Sequence, residues 1–447
     1  MELIEDMRKR ARELDVELVR LLAARLELTD SIGAEKKKAG MAVYDPETER
    51  RVLTGARETA VELGISPIMA ETVIRTAMAE SRLRQDSTGK RRAAADFDRA
   101  NIAFTRYLPP PMDFKTAVPI SDDAAATVND CRNDIRNILD GNDECVLLVM
   151  GPCSIHDPAQ AEEYGQRMRG LQEKVGEKFL LVMRGYVEKS RTGAGWTGYL
   201  TDPRLDGSGD VQEGITMTRK LLNRLGDMGV PVAVEFINPL SSCYIGDLVS
   251  WAAIGARSSG SQVHRDMASG LPVPVGFKNS PDGSVEGAIG AVESAARDHD
   301  YLGLDEAGNI AAFRTRGNSY CHPVLRGGKK PNYDENSIAS TQKALADAGL
   351  RPKLMVDCSH GNSGKVAKNQ VKVFNNVIGQ IAAGNRDIVG LMLESFLEPG
   401  RQEPGPGMMH GISVTDECLG WDETEKIVIE AHRILCSIHS RCVFDES

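Results

Sequence analysis

The segment CVLLVMGPCSIHD spans Cys145 to Asp157. Its apolar, β-branched run stops at Gly151-Pro152, and Cys153, Ser154, His156 and Asp157 follow at once. A buried strand that ends in a tight turn and then presents a thiol reads as the rim of an α/β barrel. Alone, Cys153 would read as a core cysteine, because a free thiol packs as a small hydrophobe. Seven further strand-like runs change that reading: 179–184, 231–236, 251–256, 274–278, 320–326, 353–358 and 388–394. With 145–150 they make eight strands separated by helical patterns, the arithmetic of a (β/α)8 TIM barrel of roughly 250 residues. Residues 298–314 read as an extra hairpin or an irregular insertion between the fifth and sixth strands.

The strand ends carry the chemistry. Cys153 follows the first. Arg184, Glu188, Lys189 and Arg191 follow the second, and Glu235 the third. Arg257, then His264 and Arg265, follow the fourth, Lys278 the fifth and Arg326 the sixth. Asp357 and His360 end the seventh, and Glu394 ends the eighth. Barrel closure brings such ends to one mouth. Cys153, His360, Glu394 and Asp416 supply a sulfur, an imidazole and two carboxylates, a mixed set that suits Mn, Fe, Co or Zn better than Mg or Ca. The bland reading of His360, a structural core histidine, weakens once the four are taken together. Arg184, Lys189, Arg191, Arg257, Lys278 and Arg326 would repel one another unless they met anions, so phosphate plus carboxylate is the implied substrate charge. The competing reading is a set of surface salt bridges.

Composition narrows the class. The chain has 447 residues, 41% hydrophobic, and a formal net charge of −10. That length suggests two or three domains. The negative balance argues against a nucleic-acid partner, which needs a basic face. Nine cysteines without framework spacing, no signal-like start and no apolar run of spanning length point to a cytoplasmic protein with no membrane contact.

The first 86 residues differ from the rest. Leu3, Met7, Leu14, Leu18, Leu21, Leu22, Leu28 and Ile32 follow helical spacing. Asp45-Pro46 starts a second helix, and a third runs from Ser66-Pro67 to about Gln85. One long and two short helices cannot cover both faces of the long one, so self-association as a homodimer or homotetramer is expected. Residues 87–101 read as a linker, Pro109 to Pro111 as an extended stretch, and 122–140 as a helix capped by Ser121 or Asp122. The domain plan is a helical domain at 1–86, the linker, and the barrel domain at 102–447.

Two resemblances sharpen this plan. The segment LDxELxxLLAxR (Leu14 to Arg25) and the closing ESRLRQ (Glu80 to Gln85) make the first domain similar to the small all-α, three-helix chorismate mutases. That resemblance implies a chorismate pocket of Arg8, Arg25, Lys36, Asp45, Glu49, Ser81 and Gln85. Catalysis there would rest on conformational restriction and electrostatic stabilisation. The family usually has an arginine where this chain has Thr48, so a sensor for chorismate, prephenate or an aromatic amino acid stands beside true turnover.

The motifs GPCSIHD, MRGYVEKSRTGAGWTG, GARSSGSQVHRDMASG, PVGFKN, LRGGKKPNY, MVDCSHGNSGK, VGLMLESFLEPGRQ and SVTDECLGW resemble type I 3-deoxy-D-arabino-heptulosonate 7-phosphate (DAHP) synthases. That family condenses phosphoenolpyruvate with erythrose 4-phosphate, the first step of the shikimate pathway of aromatic amino acid biosynthesis. The resemblance assigns a divalent metal to Cys153, His360, Glu394 and Asp416, and phosphoenolpyruvate to Arg184, Lys189, Arg257, Lys278 and Arg326. Erythrose 4-phosphate goes to Lys189 and Arg191. Lys189, Lys278, Glu235 and His264 are the candidate catalytic groups. Glu235 or Lys278 would direct the attacking water, and Lys189 or His264 would protonate the new alkoxide. Ser190 and Phe396 depart from the family's usual Pro and His, and Pro272 stands where an effector pocket usually has a small polar residue. The alternative reading is a synthase for a related aldose phosphate in secondary metabolism, with a purely regulatory helical domain.

Overall fold

The computed structural model describes residues 2–42, 45–85, 101, 108–191, 193 and 195–442. The chain divides into two compact units, residues 1–107 and 108–447. The linker expected at 87–101 lies outside the described residues except for Asn101.

In the first unit, α1 (Glu2–Lys38), α2 (Pro46–Glu62) and α3 (Pro67–Gln85) form three helices. Asp45 caps α2: its side chain accepts the Glu47 and Thr48 N–H groups, and Pro46 fills the first helical position, where a missing N–H costs nothing. Gly33 lets α3 approach α1, since a Cβ there would lie 2.4 Å from Gln85 Cγ. Burial is sparse: Leu53, Ala60, Ala77 and Met78 are covered, while Leu14, Leu18, Leu21 and Leu28 along α1 stay exposed.

In the second unit the chain enters α4 (Pro111–Ala117) directly. The stretch expected to be extended through Pro111 therefore ends at Pro110, whose ψ of 159° is the last extended value before the helix. Helix α5 (Asp122–Asp140) is capped by Ser121, which accepts the Ala124 N–H, and it ends at Gly141 with φ +78°.

Eight parallel strands then close a barrel: β1 (Val146–Gly151), β2 (Phe179–Arg184), β3 (Val232–Glu235), β4 (Trp251–Ile254), β5 (Val275–Lys278), β8 (Cys321–Leu325), β9 (Leu354–Asp357) and β10 (Ile388–Glu394). Their order around the ring is β1-β10-β9-β8-β5-β4-β3-β2. Between β5 and β8, β6 (Asp300–Leu304) and β7 (Ile310–Arg314) form a separate antiparallel hairpin. The register sets Val149 opposite both Val182 and Met392. Alternate residues of each strand feed two buried layers: Leu147, Val149, Val182, Ala233, Trp251 and Met355 in one, and Leu148, Leu181, Val234, Ile254 and Val356 in the layer beneath the helices.

Candidate active site

Every barrel strand stops at the same rim, and the backbone there is shaped for close approach. Gly151 ends β1, where a Cβ would sit 2.7 Å from the Arg184 carbonyl oxygen. Gly361 follows His360, where a Cβ would sit 2.6 Å from Gly328 N. Those two glycines let the β1–β2 and β8–β9 loop pairs lie against each other. His360 itself has φ +53°, a left-handed conformation that is costly for a residue with a Cβ and is found where neighbours over-determine it.

Cys153 Sγ and the carboxylates of Glu394 and Asp416 have ligand atoms within 4.8 Å of one another. Cys153 Sγ is 3.4 Å from Asp416 Oδ2, and the Asp416 N–H also points at the sulfur, at 3.3 Å. His360 lies outside that group of three, with Nε2 3.8 Å from Glu394 Oε1. Its Nδ1 is held from behind, 2.9 Å from Asp357 Oδ2 and 2.6 Å from Ser359 Oγ, which leaves Nε2 to face the mouth. A carboxylate behind the imidazole is the usual support of a ligating histidine. Glu394 Oε1 is buried and makes no hydrogen bond, although Arg184 Nη2 is 3.0 Å away. A thiol, an imidazole nitrogen and two carboxylates around such an oxygen fit a first-row divalent ion.

Cations fill the other side. Lys189 Nζ lies 2.7 Å from Cys153 Sγ and 3.1 Å from Asp416 Oδ2. Burial works against the Lys189 charge, but Cys153, Glu394 and Asp416 raise its pKa overall. Burial would raise Asp416, yet the Lys189 ammonium holds it well below the usual carboxylate range. Burial, and then Glu394, push the Cys153 thiol up, against the pull of Lys189 and Arg184. Arg184 is fully buried. It donates to the carbonyls of Pro152 at 2.5 Å and Cys153 at 2.6 Å and lies 3.8 Å over the Tyr186 ring, so it fixes the thiol loop. Lys278 Nζ sits between Glu235 Oε2 at 3.5 Å and Asp357 Oδ2 at 3.4 Å. Arg257 donates to Ser190 Oγ at 3.1 Å, and Arg326 to the Gly327 carbonyl at 3.2 Å.

All six expected cations, with Glu235, His360 and Asp416, line one cavity of 290 Å³, which adjoins a second of 670 Å³ through Arg257, Arg326 and His360. His264 is not among its lining residues: Nε2 faces the Ile237 carbonyl at 2.9 Å and Nδ1 faces Ser261 Oγ at 3.0 Å. Tyr186 and Lys365 are among the lining residues that sequence reasoning did not single out. Tyr186 lies under both Arg184 and Lys278, and Lys365 borders both cavities. An aromatic two residues after Arg184 and a lysine five after His360 were the only hints.

In the helical unit, Arg25 Nη1 reaches Ser81 Oγ at 3.4 Å, and Gln85 Nε2 donates to the Thr29 carbonyl at 2.5 Å. Asp45 is lowered chiefly by its bond from Thr48, with a smaller contribution from the Lys36 charge. Glu49 is held by Arg82 Nη1, at 2.5 and 2.6 Å from its two oxygens. Arg8 stands apart, paired with Glu5 at 3.6 Å. Seventeen residues of helix separate it from Arg25, about 25 Å at the α-helical rise. One chain therefore does not bring Arg8 to the other six.

A closed parallel barrel whose mouth pairs a sulfur, nitrogen and carboxylate donor set with a wall of cations is an enzyme of phosphorylated, anionic substrates. The chain belongs to the DAHP synthetase I family, whose model matches residues 117–429. The chorismate mutase type II model matches residues 7–86. The chain is 47% identical over 338 residues to the Tyr-sensitive phospho-2-dehydro-3-deoxyheptonate aldolase of Escherichia coli, covering 75% of this chain and 95% of that protein. It is 44% identical over 333 residues to the Phe-sensitive enzyme of the same organism, covering 74% and 95%. The solved phospho-2-dehydro-3-deoxyheptonate aldolase of Francisella tularensis superposes with a TM-score of 0.73 at 39% identity, covering 75% of this chain and 99% of that one. The protein is a shikimate-pathway DAHP synthase, a transferase, with a fused chorismate mutase domain. The family is metal-dependent and takes phosphoenolpyruvate and erythrose 4-phosphate.

Proposed function

We propose that Cys153, His360, Glu394 and Asp416 hold one Mn, Fe, Co or Zn ion, and that the cations beside them hold both substrates. The observation that carries this reading is the Cys153, Glu394 and Asp416 donor group, in direct contact with Lys189 at the edge of the cavity that Lys189 and Asp416 line. When bound, the ion supplies polarisation of the erythrose 4-phosphate aldehyde. Arg184, Arg257, Lys278 and Arg326 orient the phosphate and carboxylate of phosphoenolpyruvate, and Lys189 and Arg191 take erythrose 4-phosphate. The enol carbon C3 then forms a bond to the aldehyde carbon, and the Lys189 ammonium protonates the resulting alkoxide. Forming that bond uses the C2=C3 electron pair and leaves C2 electron-poor. Glu235, aligned by Lys278, takes one proton from the water that adds there, and the C2–O bond then breaks so that inorganic phosphate leaves with its bridging oxygen and the remaining hydroxyl proton as the C2 carbonyl forms. Lys189 is preferred to His264 as the donor because it borders the cavity and His264 does not. Cys153→Ala and His360→Ala should abolish metal-dependent condensation while leaving the circular dichroism unchanged. Full turnover of wild type in excess EDTA would contradict the assignment.

We further infer that the helical unit binds chorismate or prephenate between Arg25, Lys36, Asp45, Glu49, Ser81 and Gln85, in a protein that works in the cytoplasm as a homodimer or homotetramer. Arg8 would reach that pocket from a second copy, across the uncovered apolar side of α1. Ligand there, or an aromatic amino acid, should raise the apparent KM of the synthase reaction. Synthase kinetics unchanged by chorismate, prephenate, Phe, Tyr and Trp would remove the regulatory half of this reading.

A further inference from the structure

A second group of ligand atoms lies at the opposite end of the barrel. The C-terminal helix, Trp421–Cys442, presents His432 and Cys436 one turn apart on one face, and the corner just before β2 presents Glu177. Their ligand atoms lie within 4.8 Å of one another, with Cys436 Sγ 3.4 Å from His432 Nε2. Glu177 precedes the first residues of β2, whereas Cys153 follows the last residue of β1. The two clusters are therefore about a strand length apart, roughly 20 Å at the β rise.

We propose that Glu177, His432 and Cys436 form a second cation site, for a zinc-type divalent ion, that pins the C-terminal helix to the floor of the barrel. Thiolate and imidazole select a borderline-soft ion, and a histidine with a second ligand four residues on along a helix places both donors on one side of the metal. Three protein ligands leave a fourth position for water. None of the three side chains serves the reaction at the mouth. Their neighbours fit the proposal. Lys178, the neighbour in sequence, pairs with Glu177 at 3.4 Å and leaves the Glu177 side chain largely exposed. Burial and then the Glu177 carboxylate push the Cys436 thiol up, a repulsion that a divalent cation would reverse. The anchoring would add to the Lys174–Glu425 pair, 2.8 Å, which ties the same helix to the helix before Glu177.

The test uses cobalt as a spectroscopic stand-in for zinc in the full-length chain. Cys153→Ser removes the thiolate at the mouth. Titrated with Co(II), this variant should still develop thiolate-to-cobalt absorption that saturates at one equivalent per chain and is displaced by Zn(II). The band should vanish in Cys153→Ser/Cys436→Ser and fall in Cys153→Ser/His432→Ala. No band in Cys153→Ser, or a band that survives the loss of Cys436, overturns the site. Zinc content of chains with Cys153 intact provides a second reading: dialysed Cys436→Ser should hold one equivalent less than wild type and keep full synthase turnover. Equal zinc content, or loss of turnover, would count against a separate site.

Discussion

Glu188 shows what the barrel mouth asks of single residues. It is buried beside Lys189, and burial pushes its carboxyl up to about 7 despite bonds from Ser241 and from the backbone N–H groups of Ile237 and Asn238. Between the ordinary glutamate value and 7, the folded chain holds a proton that the unfolded chain has released. Stability therefore falls as pH rises through that window, by up to about 3 kcal/mol from this one group. Glu188→Gln keeps an acceptor for one of the two N–H groups and removes the titration, so it should flatten the change in barrel urea midpoint between pH 5 and pH 8. An equal loss in both proteins would show that Glu188 does not titrate there. Residue chemistry of this kind was only half legible. Arg184, Lys278 and Glu394 could be read as strand-end charges, because period and turn residues place them. That Arg184 spends its donors on the Pro152 and Cys153 carbonyls, and that Tyr186 lies beneath it, depends on loops whose course no local pattern specifies.

Elements were more legible than their connections. Strands β1 and β10 announced themselves as continuous apolar runs, as strands buried on both faces do. The hairpin β6–β7 was legible as one of two readings of residues 298–314, an extra hairpin or an irregular insertion, and the hairpin is what forms. The start of α4 at Pro111 was missed because three consecutive prolines read equally well as extended chain and as a helix entry. Buried polar links between helices were not visible at all. Arg219, fully buried in the helix Val211–Asp227, donates to both Asp247 oxygens at 2.7 and 2.9 Å and to the carbonyls of Val118 and Tyr244. Arg219→Met would leave the Asp247 carboxylate and two carbonyls unpaired. The expected cost is about 3–5 kcal/mol in the barrel unfolding transition. A loss below about 1 kcal/mol, the range of exposed pairs, would mean that water replaces the guanidinium there.

At the scale of the whole molecule, two family modules share one chain. The four residues expected to hold the ion lie 263 positions apart at the extremes, Cys153 to Asp416. Only closure of the ring between β1 and β10 makes them neighbours. The proposed chorismate pocket rests on resemblance alone, since helix-surface charges have no local signature, and the length of α1 separates Arg8 from the rest within one chain. The most direct measurement is anomalous diffraction from crystals grown with Mn(II) and phosphoenolpyruvate. A strong peak bonded to Cys153 Sγ, His360 Nε2 and the carboxylates of Glu394 and Asp416 is expected, with the phosphate against the Arg257 and Arg326 side of the cavity. A peak bound elsewhere in the barrel, or a Cys153 sulfur turned away from the ion, would contradict that assignment.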